Sequence, residues 1–359
     1  MKILLWPSYY FPSIGGLEMV VRALAKEFRN LGHTTIVFAD SKTSKSYMSL
    51  VEEIEVHYFP FQAALGSKNP SLIKATLERA ATLIQAFSPD VANIHGWYEF
   101  FAFFQLRVLK QIPFFLTVHG LMERMHYQTH SCKQLWSQAK GVNVVSNALL
   151  HQLSEENWHH PSLRLIYNGI FLPQTVLQNA AKEGVHIAMI GRFTAEKCFD
   201  IGLRAFKKLK TIIPDATLCL AGQGDDWNLL TALRKELGLE QCVEMPGFIH
   251  PDRIDSIIDR AHLVWIPSLY ESFCLVALEA AARGRPVVAS DVFGLKEAVE
   301  HGKTGLLVKK NDPDSIVEAS LSLLQSPQQC HKMGEYANQR VERLFSIQRA
   351  ANQYVDMYT

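Results

Sequence analysis

Short apolar runs alternate with amphipathic stretches along most of the chain. Residues 2–6 form one such run, and the segment that follows has apolar residues at 17, 20, 21, 24, 25, 28 and 31. The first pattern is typical of a buried strand and the second has the spacing of a helix. Since this alternation recurs as far as residue 308, the pattern predicts an α/β protein whose strands form parallel sheets.

The pattern divides into two series of elements. Strands are predicted in the first series at residues 2–6, 34–39, 55–59, 91–94, 113–118, 143–146 and 163–166, and in the second at 185–190, 217–220, 243–246, 262–266, 286–290 and 305–308. Residues 171–184 contain a proline and several polar residues and are the predicted linker. A length of 359 residues suits two domains, and we place them at residues 1–172 and 185–336.

The stretch after the strand at 262–266 carries the strongest chemical signal. Glu271 lies in the predicted loop, a helix is predicted to start near Phe273, and Glu279 follows about two turns later. Ligands of parallel sheets bind where strands end and helices begin. We expect the amides of Phe273, Cys274 and Leu275 to face an anion such as a phosphate. Two acids beside that helix end predict a ligand with both phosphate and hydroxyl groups.

Other loops after predicted strands carry weaker signals. Gly15-Gly16 permits close approach of a phosphate, although a tight turn without a ligand has the same sequence. His95 and His119 each follow a strand and precede a glycine, which favours neither a structural nor a functional role. Arg192 and Lys197 are spaced to clamp a diphosphate, or are two solvated charges.

The aromatic run at residues 97–104 has two interpretations. It is either an apolar wall for an acceptor or a membrane, or a core helix in which Phe100, Phe103 and Phe104 share one face. We favour the core helix.

Composition excludes several classes of protein. The net charge of +1 gives no support for a nucleic-acid binder, and the six cysteines lack the spacing of a zinc site. Residues 1–7 are too short an apolar run for a signal peptide, and no run of 18 apolar residues occurs. We therefore predict a cytoplasmic protein, with peripheral association at the inner face of a membrane as an alternative.

Taken together, these motifs resemble the retaining GT-B glycosyltransferases of family 4. The resemblance spans most of the chain, and its motifs are Gly15-Gly16, His119, Asn168-Gly169, Gly191-Arg192 with Glu196-Lys197, Gly222-x-Gly224, Gly247-Phe248, Glu271-x7-Glu279, residues 286–290 and Gly302-x-Thr304-Gly305. Each motif alone is weak, and their order and spacing are specific.

The resemblance implies two Rossmann-like, doubly wound domains that face each other across a cleft. It also implies that residues 337–359 form a helix that crosses back to the first domain. The first domain is expected to bind the acceptor, a glycan, a lipid-linked sugar or another hydroxyl compound, and the second a nucleotide-sugar. The expected product is a cell-surface polysaccharide or glycolipid, and no cofactor or metal is expected.

The resemblance also implies roles for individual residues. Arg192 and Lys197 are expected to bind the diphosphate, with the amides of Cys274 and Leu275 at the distal phosphate and Gly16 covering the diphosphate. Glu279 is expected to bind the ribose, Glu271 the sugar hydroxyls, and His119 the sugar near the reacting carbon. Phe248 and Ile249 are expected at the base.

Three positions depart from the family pattern. Cys198, Cys274 and Phe293 stand where glycine is common, and we expect the small cysteine side chains to be tolerated. The departures motivate one alternative, a non-catalytic subunit that binds a nucleotide-sugar. A second alternative keeps the fold and changes the reaction to that of a GT-B phosphorylase or an epimerase.

Overall fold

The structure is a computed structural model that describes residues 1–96, 99–120, 129–173 and 184–359. The chain divides into two compact units, one made of Met1–Phe171 with Ile347–Thr359 and the other of Leu172–Ser346. Most of the predicted linker lies outside the described residues.

The first unit is built on an eight-stranded sheet with the order β3-β4-β2-β1-β5-β6-β7-β8. The strands are β1 Lys2–Trp6, β2 Thr34–Asp40, β3 Tyr47–Val51, β4 Ile54–Phe59, β5 Val91–Ile94, β6 Phe114–Val118, β7 Gly141–Val144 and β8 Leu163–Leu165. All neighbouring strands are parallel except β3 and β4. Because β1 lies between β2 and β5, the order of the strands reverses there, which is where such sheets bind ligands.

Helices cover this sheet and turn their apolar faces toward it. They are α1 Gly16–Asn30, α2 Phe61–Gly66, α3 Pro70–Phe87, α4 Glu99–Val108, α5 His130–Gln138, α6 Asn147–Glu155 and, from the end of the chain, α14 Ile347–Tyr358. The predicted α1 is present, and its buried positions include Val20, Val21, Leu24 and Phe28.

The aromatic run is a core helix, but the predicted face was wrong. Phe101 and Phe104 are fully buried, and their ring centroids lie 5.9 and 5.0 Å from that of Phe61 in α2. Phe100 is 42% exposed. The pair three residues apart faces α2, and this direction turns Phe100 toward solvent. Residues 97 and 98 lie outside the described residues.

The second unit is built on a six-stranded parallel sheet with the order β11-β10-β9-β12-β13-β14. The strands are β9 His186–Ile190, β10 Thr217–Ala221, β11 Val243–Gly247, β12 Leu263–Ile266, β13 Val287–Ser290 and β14 Gly305–Val308. The helices are α7 Phe199–Ile212, α8 Trp227–Glu236, α9 Ile254–Arg260, α10 Leu275–Ala282, α11 Leu295–Ala298, α12 Pro313–Leu324 and α13 Pro327–Phe345. Here the strand order reverses between β9 and β12.

The chain returns to the first unit ten residues later than the predicted residue 337. Helix α13 ends at Phe345, whose ring lies 5.5 Å from that of Phe273 in the second unit. Ser346 is extended, and α14 then packs on α1, with the rings of Phe28 and Tyr354 6.5 Å apart. Ala337 is buried, so the apolar stripe of α13 covers the second unit and α14 alone returns.

A buried polar row holds α14 on the first sheet. Asn143 on β7 donates to the Tyr354 hydroxyl at 3.0 Å, and Asn93 on β5 donates to the Tyr358 hydroxyl at 2.6 Å. Between them, the Thr117 hydroxyl lies 3.0 Å from Asn93 Oδ1 and 2.7 Å from Asn143 Oδ1. Buried polar groups that pair in this way fix how a helix docks.

Candidate active site

Three loops that carry predicted site residues follow the carboxyl ends of β9, β11 and β12 in the second sheet. The loop after β9 contains Arg192 and Lys197, and the loop after β12 contains Glu271. Since β9 and β12 are neighbours where the strand order reverses, the fold brings these two loops together. This is the position at which parallel sheets bind ligands.

Lys197 and Glu271 form a direct ion pair. The Lys197 ammonium donates to Glu271 Oε1 at 2.6 Å, and the two loops are also joined by a 2.8 Å hydrogen bond from the Leu269 amide to the Glu196 carbonyl. Burial alone would lower the pKa of Lys197, but the attraction and hydrogen bond of Glu271 raise it overall. Sequence reasoning assigned the two residues separate ligand groups and did not predict their contact.

Ser268 is a site residue that sequence reasoning missed. Its hydroxyl donates to the same Glu271 Oε1 at 3.0 Å, and the side chain is 1% exposed while Glu271 is 8% exposed. Two donors on Oε1 fix the carboxylate and leave Oε2 to accept from a ligand. The signal available in the sequence is a serine two residues after a buried strand and three residues before the acid.

Arg192 is exposed, and its backbone is held rigidly. The Gly191 amide donates to the Ala221 carbonyl and the Phe193 amide to the Gln223 carbonyl, each at 3.0 Å. A Cβ atom at Gly222 would collide with the Gly191 carbonyl oxygen. The Gly222-x-Gly224 turn, a weak signal in the sequence, therefore lets the loop after β10 support the arginine.

Helix α10 begins at Leu275, two residues later than predicted. Phe273 precedes the helix, and its side chain is 1% exposed and packs against Phe345. The predicted first-turn amide at Phe273 was therefore wrong, because Cys274, with φ 82° and ψ 95°, is not helical and α10 begins only after it. Cys274 is the N-cap residue and Leu275 the first helical residue. The amides of these two residues and of the two that follow therefore have no carbonyl acceptor within the helix.

Cys274 and Cys198 both adopt backbone angles that favour glycine. Cys274 has φ 82° and ψ 95°, and Cys198 has φ 49° and ψ 45°. A non-glycine residue in such a region is strained by on the order of 1–3 kcal/mol. Burial also raises the pKa of the Cys274 thiol, with a further contribution from Glu271, so the thiol beside Lys197 is protonated.

We expect Cys274→Gly to stabilise the protein. Relief of strain exceeds the entropic cost of glycine, about 0.5–1 kcal/mol, so the free energy of unfolding should rise by about 1 kcal/mol. Chemical denaturation measures this change, and Cys330→Gly, inside α13, serves as the control that loses stability. A lower free energy of unfolding for Cys274→Gly would contradict the strain.

Glu279 lies on the second turn of α10 and is half-buried. Burial, with a smaller contribution from the negative charge of Asp255, raises its pKa from 4.5 to about 7. Folding therefore shifts this carboxyl group toward its neutral form. Burial removes water molecules that would donate hydrogen bonds to the carboxylate. A ligand whose hydroxyl groups donate to the carboxylate would replace those hydrogen bonds and favour the ionised form.

This pKa predicts a pH-dependent effect of Glu279→Gln on stability. A raised folded pKa favours folding fully below about pH 4.5, and this contribution is lost as the pH rises through about 7. We expect the variant to have a higher Tm than the wild type at pH 8 and an equal Tm at pH 4. Thermal unfolding at both values tests this, with Glu318→Gln, exposed on α12, as the control. An equal difference at both pH values would contradict the raised pKa.

Phe248 and Ile249 follow β11 at the same edge of the sheet. Phe248 is 53% exposed, and the Gly247 carbonyl before it accepts from the Gly222 amide at 3.0 Å. An exposed aromatic ring on a fixed backbone can stack on a planar ligand group.

In the first unit, the glycine pair starts α1. Gly15 is the extended N-cap residue and Gly16 the first helical residue. A Cβ atom at Gly15 would approach Glu18 Oε2 to 2.7 Å, whereas one at Gly16 would meet no described heavy atom within 4 Å. Gly16 is therefore not required by packing against the described part of the unit.

The two histidines that follow strands are in contact, which sequence reasoning did not predict. His95 follows β5, His119 follows the neighbouring β6, and His95 Nδ1 lies 2.9 Å from His119 Nε2. Burial lowers the pKa of His119 to about 3, so this imidazole is neutral at physiological pH.

Among the described residues, no group of three or more His, Cys, Asp or Glu side chains is arranged to hold a metal ion. No helix there has the length and hydropathy needed to cross a bilayer.

Two family models match the chain, one to each unit. Residues 14–172 match the model described as Glycosyltransferase Family 4, and residues 177–340 match that described as Glycosyl transferases group 1. A relative, the glycogen synthase of Mycobacterium tuberculosis, is 27% identical over 394 residues, covering 100% of this chain and 94% of its own.

Solved structures share the fold. Sucrose-phosphate synthase from Thermosynechococcus elongatus has a TM-score of 0.82 and 21% identity, covering 100% of this chain and 98% of its own. HepE of Anabaena, in complex with UDP-glucose, has a TM-score of 0.81 and 21% identity, covering 99% and 98%. The predicted fold is confirmed, and the chain belongs to the family 4 glycosyltransferases, enzymes of the GT-B fold.

Proposed function

We propose that this glycosyltransferase moves a sugar from a nucleotide-sugar to a hydroxyl acceptor with retention of anomeric configuration. The observation that carries the proposal is the Lys197–Glu271 pair at the reversal of strand order, beside the start of α10. It places a cation, a carboxylate and helix amides at one sheet edge, a combination that suits a ligand with phosphates and sugar hydroxyls. The UDP-glucose in the HepE structure supports this class of donor.

The proposed roles follow from the charge that develops during transfer. Departure of the nucleoside diphosphate places negative charge on the phosphates, which Arg192, Lys197 and the amides of Cys274 and Leu275 stabilise without a metal ion. Lys197 has donors left after it binds Glu271. Glu271 Oε2 accepts from hydroxyls of the donor sugar, which becomes oxocarbenium-like.

The remaining contacts complete the donor site. Glu279 accepts from the ribose hydroxyls, and the backbone and ring near Phe248 and Ile249 meet the base. Gly16 is proposed to bind the diphosphate, and His119 is proposed to bind the sugar near the reacting carbon. Retention is proposed to arise from attack and departure on the same face of the sugar.

The proposed acceptor is a glycan or a lipid-linked sugar, used to build a cell-surface polysaccharide or glycolipid. The proposed compartment is the cytoplasm, including the inner face of a membrane. The glycogen synthase relative supports a glycan acceptor, while the acceptor itself is to be found by screening.

The Gly16→Ala variant tests the proposed phosphate contact without lowering the stability of the protein. A methyl group there meets no described atom within 4 Å, and alanine favours the helix. We therefore expect an unchanged or higher Tm, with KM for the nucleotide-sugar raised about tenfold by the obstructed phosphate. Gly66→Ala, at the end of α2 and equally unobstructed by described atoms, is the matched control. Wild-type kinetics for Gly16→Ala would contradict the assignment.

Product analysis tests the proposed reaction. The protein is incubated with UDP-, GDP- and ADP-linked sugars and a panel of hydroxyl acceptors, and both nucleoside diphosphate and glycoside are measured. Acceptor-dependent release of the diphosphate, with the donor's anomeric configuration in the product by NMR, is expected. Sugar 1-phosphate or an epimerised donor would indicate a phosphorylase or an epimerase. Binding without turnover would indicate a non-catalytic subunit.

A further inference from the structure

The contact between His95 and His119 restricts which of their ring nitrogens can carry protons. The rings are stacked, with centroids 5.2 Å apart and planes at 26°, and His95 Nδ1 is 2.9 Å from His119 Nε2. A hydrogen bond of this length requires a proton on one of these nitrogens and a lone pair on the other. Its direction therefore decides the tautomer of both rings.

Both rings are neutral. Burial lowers the pKa of His95 well below its usual range, with a further contribution from His119, and burial lowers the pKa of His119 to about 3. Each imidazole then carries a single proton. If His95 donates, His119 carries its proton on Nδ1. If His119 donates, its proton is on Nε2 and His95 carries its own proton on the far nitrogen, Nε2.

The far nitrogen of His95 distinguishes the two arrangements. His95 is 2% exposed, and its Nε2 is buried without a hydrogen-bond partner among the described residues. In the second arrangement a buried N–H group would lack an acceptor, and such orphaned donors are rarer in proteins than under-used acceptors. In the first arrangement only a lone pair is unused. The first arrangement is therefore favoured.

The backbone around His95 is built to hold the ring in place. The His95 amide donates to the Trp6 carbonyl at 3.0 Å, and the buried Gln105 amide group donates to the Gly96 carbonyl at 2.8 Å. A Cβ atom at Gly96 would collide with the Ser8 hydroxyl. The loop after β5 is thus packed against the loop after β1, and His95 has little freedom to turn away.

We propose that His95 is a positioning residue that donates from Nδ1 to His119 Nε2, so that His119 presents its own N–H at Nδ1 as a neutral hydrogen-bond donor. The inference rests on the proposed function only in what it assigns to that N–H, namely an oxygen of the donor sugar. A neutral donor binds a sugar oxygen without placing positive charge beside an oxocarbenium-like carbon.

Substitutions at His95 test the hydrogen bond. His95→Leu removes the donor, and His95→Asn keeps an N–H group close to the position of Nδ1. We expect kcat of the leucine variant to fall about tenfold, the rate equivalent of one hydrogen bond, with KM for the nucleotide-sugar unchanged. The asparagine variant should recover most of kcat. Equal losses in both variants, or a wild-type kcat in the leucine variant, would overturn the positioning role.

The tautomer is tested on the unaltered protein. Two-bond proton–nitrogen correlation spectra of the full chain, labelled with nitrogen-15 histidine, report which ring nitrogen bears the proton, and His95→Asn and His119→Asn assign the signals. We expect His119 protonated on Nδ1 and His95 on Nδ1. A proton on His119 Nε2 would overturn the inference. The expected tautomer together with wild-type transfer by His119→Leu, which has no N–H group, would instead overturn the sugar contact of the proposed function.

Discussion

Removal of both cations after β9 is expected to lower sugar transfer by about a thousandfold or more. In the variant Arg192→Ala with Lys197→Gln, the departing diphosphate loses two positive charges, and one lost stabilising group in such a site costs about 10²–10³ in kcat. Glutamine at 197 keeps a donor for Glu271, which is 8% exposed and would otherwise lose its ammonium partner. The rate of nucleoside diphosphate release measures the loss.

A matched control removes the same number of charges elsewhere. Arg204 and Lys207 are exposed on α7 in the same unit, so Arg204→Ala with Lys207→Ala should transfer sugar at the wild-type rate. A loss in the control equal to that in the test variant would mean that net charge, and not a phosphate clamp, is responsible. Near-wild-type transfer by the test variant would exclude the clamp.

Glu271→Gln is expected to lower kcat by about a hundredfold or more. The amide keeps the size of the side chain and can still accept from Ser268, but it removes the negative charge beside the forming oxocarbenium-like sugar. Because the charge acts mainly in the transition state, KM for the nucleotide-sugar should change much less than kcat. Steady-state kinetics with a single donor and acceptor measure both constants.

Two further variants locate this effect. Ser268→Ala removes one of the two donors to Oε1 and should lower kcat by about tenfold, less than the loss of the charge itself. Glu318→Gln, exposed on α12, is the control and should behave as the wild type. If Glu271→Gln raised only KM, the carboxylate would bind the donor without acting on the transition state.

The fold was predictable because its signals are local and repeated. Each strand of the second sheet lies within a residue or two of its prediction, since buried runs between turns mark strands. The start of α10 was not predictable, because the left-handed backbone of Cys274 that precedes the helix is not marked by its residue type. The returning helix begins at Ile347 and not at the predicted residue 337, because α13 packs on α10 and α12 of the second unit through contacts that the local pattern does not contain.

The residues of the candidate site could be predicted individually from the sequence, but the contacts between them could not. Parallel-sheet topology indicated that Lys197 and Glu271 lie at one edge, but their 2.6 Å contact depends on β9 and β12 being neighbours. Ser268 lies only three residues before Glu271, its hydrogen-bond acceptor, and could have been predicted as a site residue from the sequence. His95 and His119 are separated by 24 residues, so the hydrogen bond between them depends on strand order and is visible only in the structure.

The carboxyl edge of the second sheet is proposed to bind a nucleotide-sugar. The most direct test is thermal unfolding of the wild type and of the Arg192→Ala, Lys197→Gln variant with a panel of nucleotide-sugars. A ligand at a hundred times its Kd adds about 2.7 kcal/mol to the stability of the state that binds it. We predict that at least one nucleotide-sugar raises the wild-type Tm by several degrees and leaves the Tm of the variant unchanged. An equal rise in both proteins, or no rise with any nucleotide-sugar, would contradict the claim.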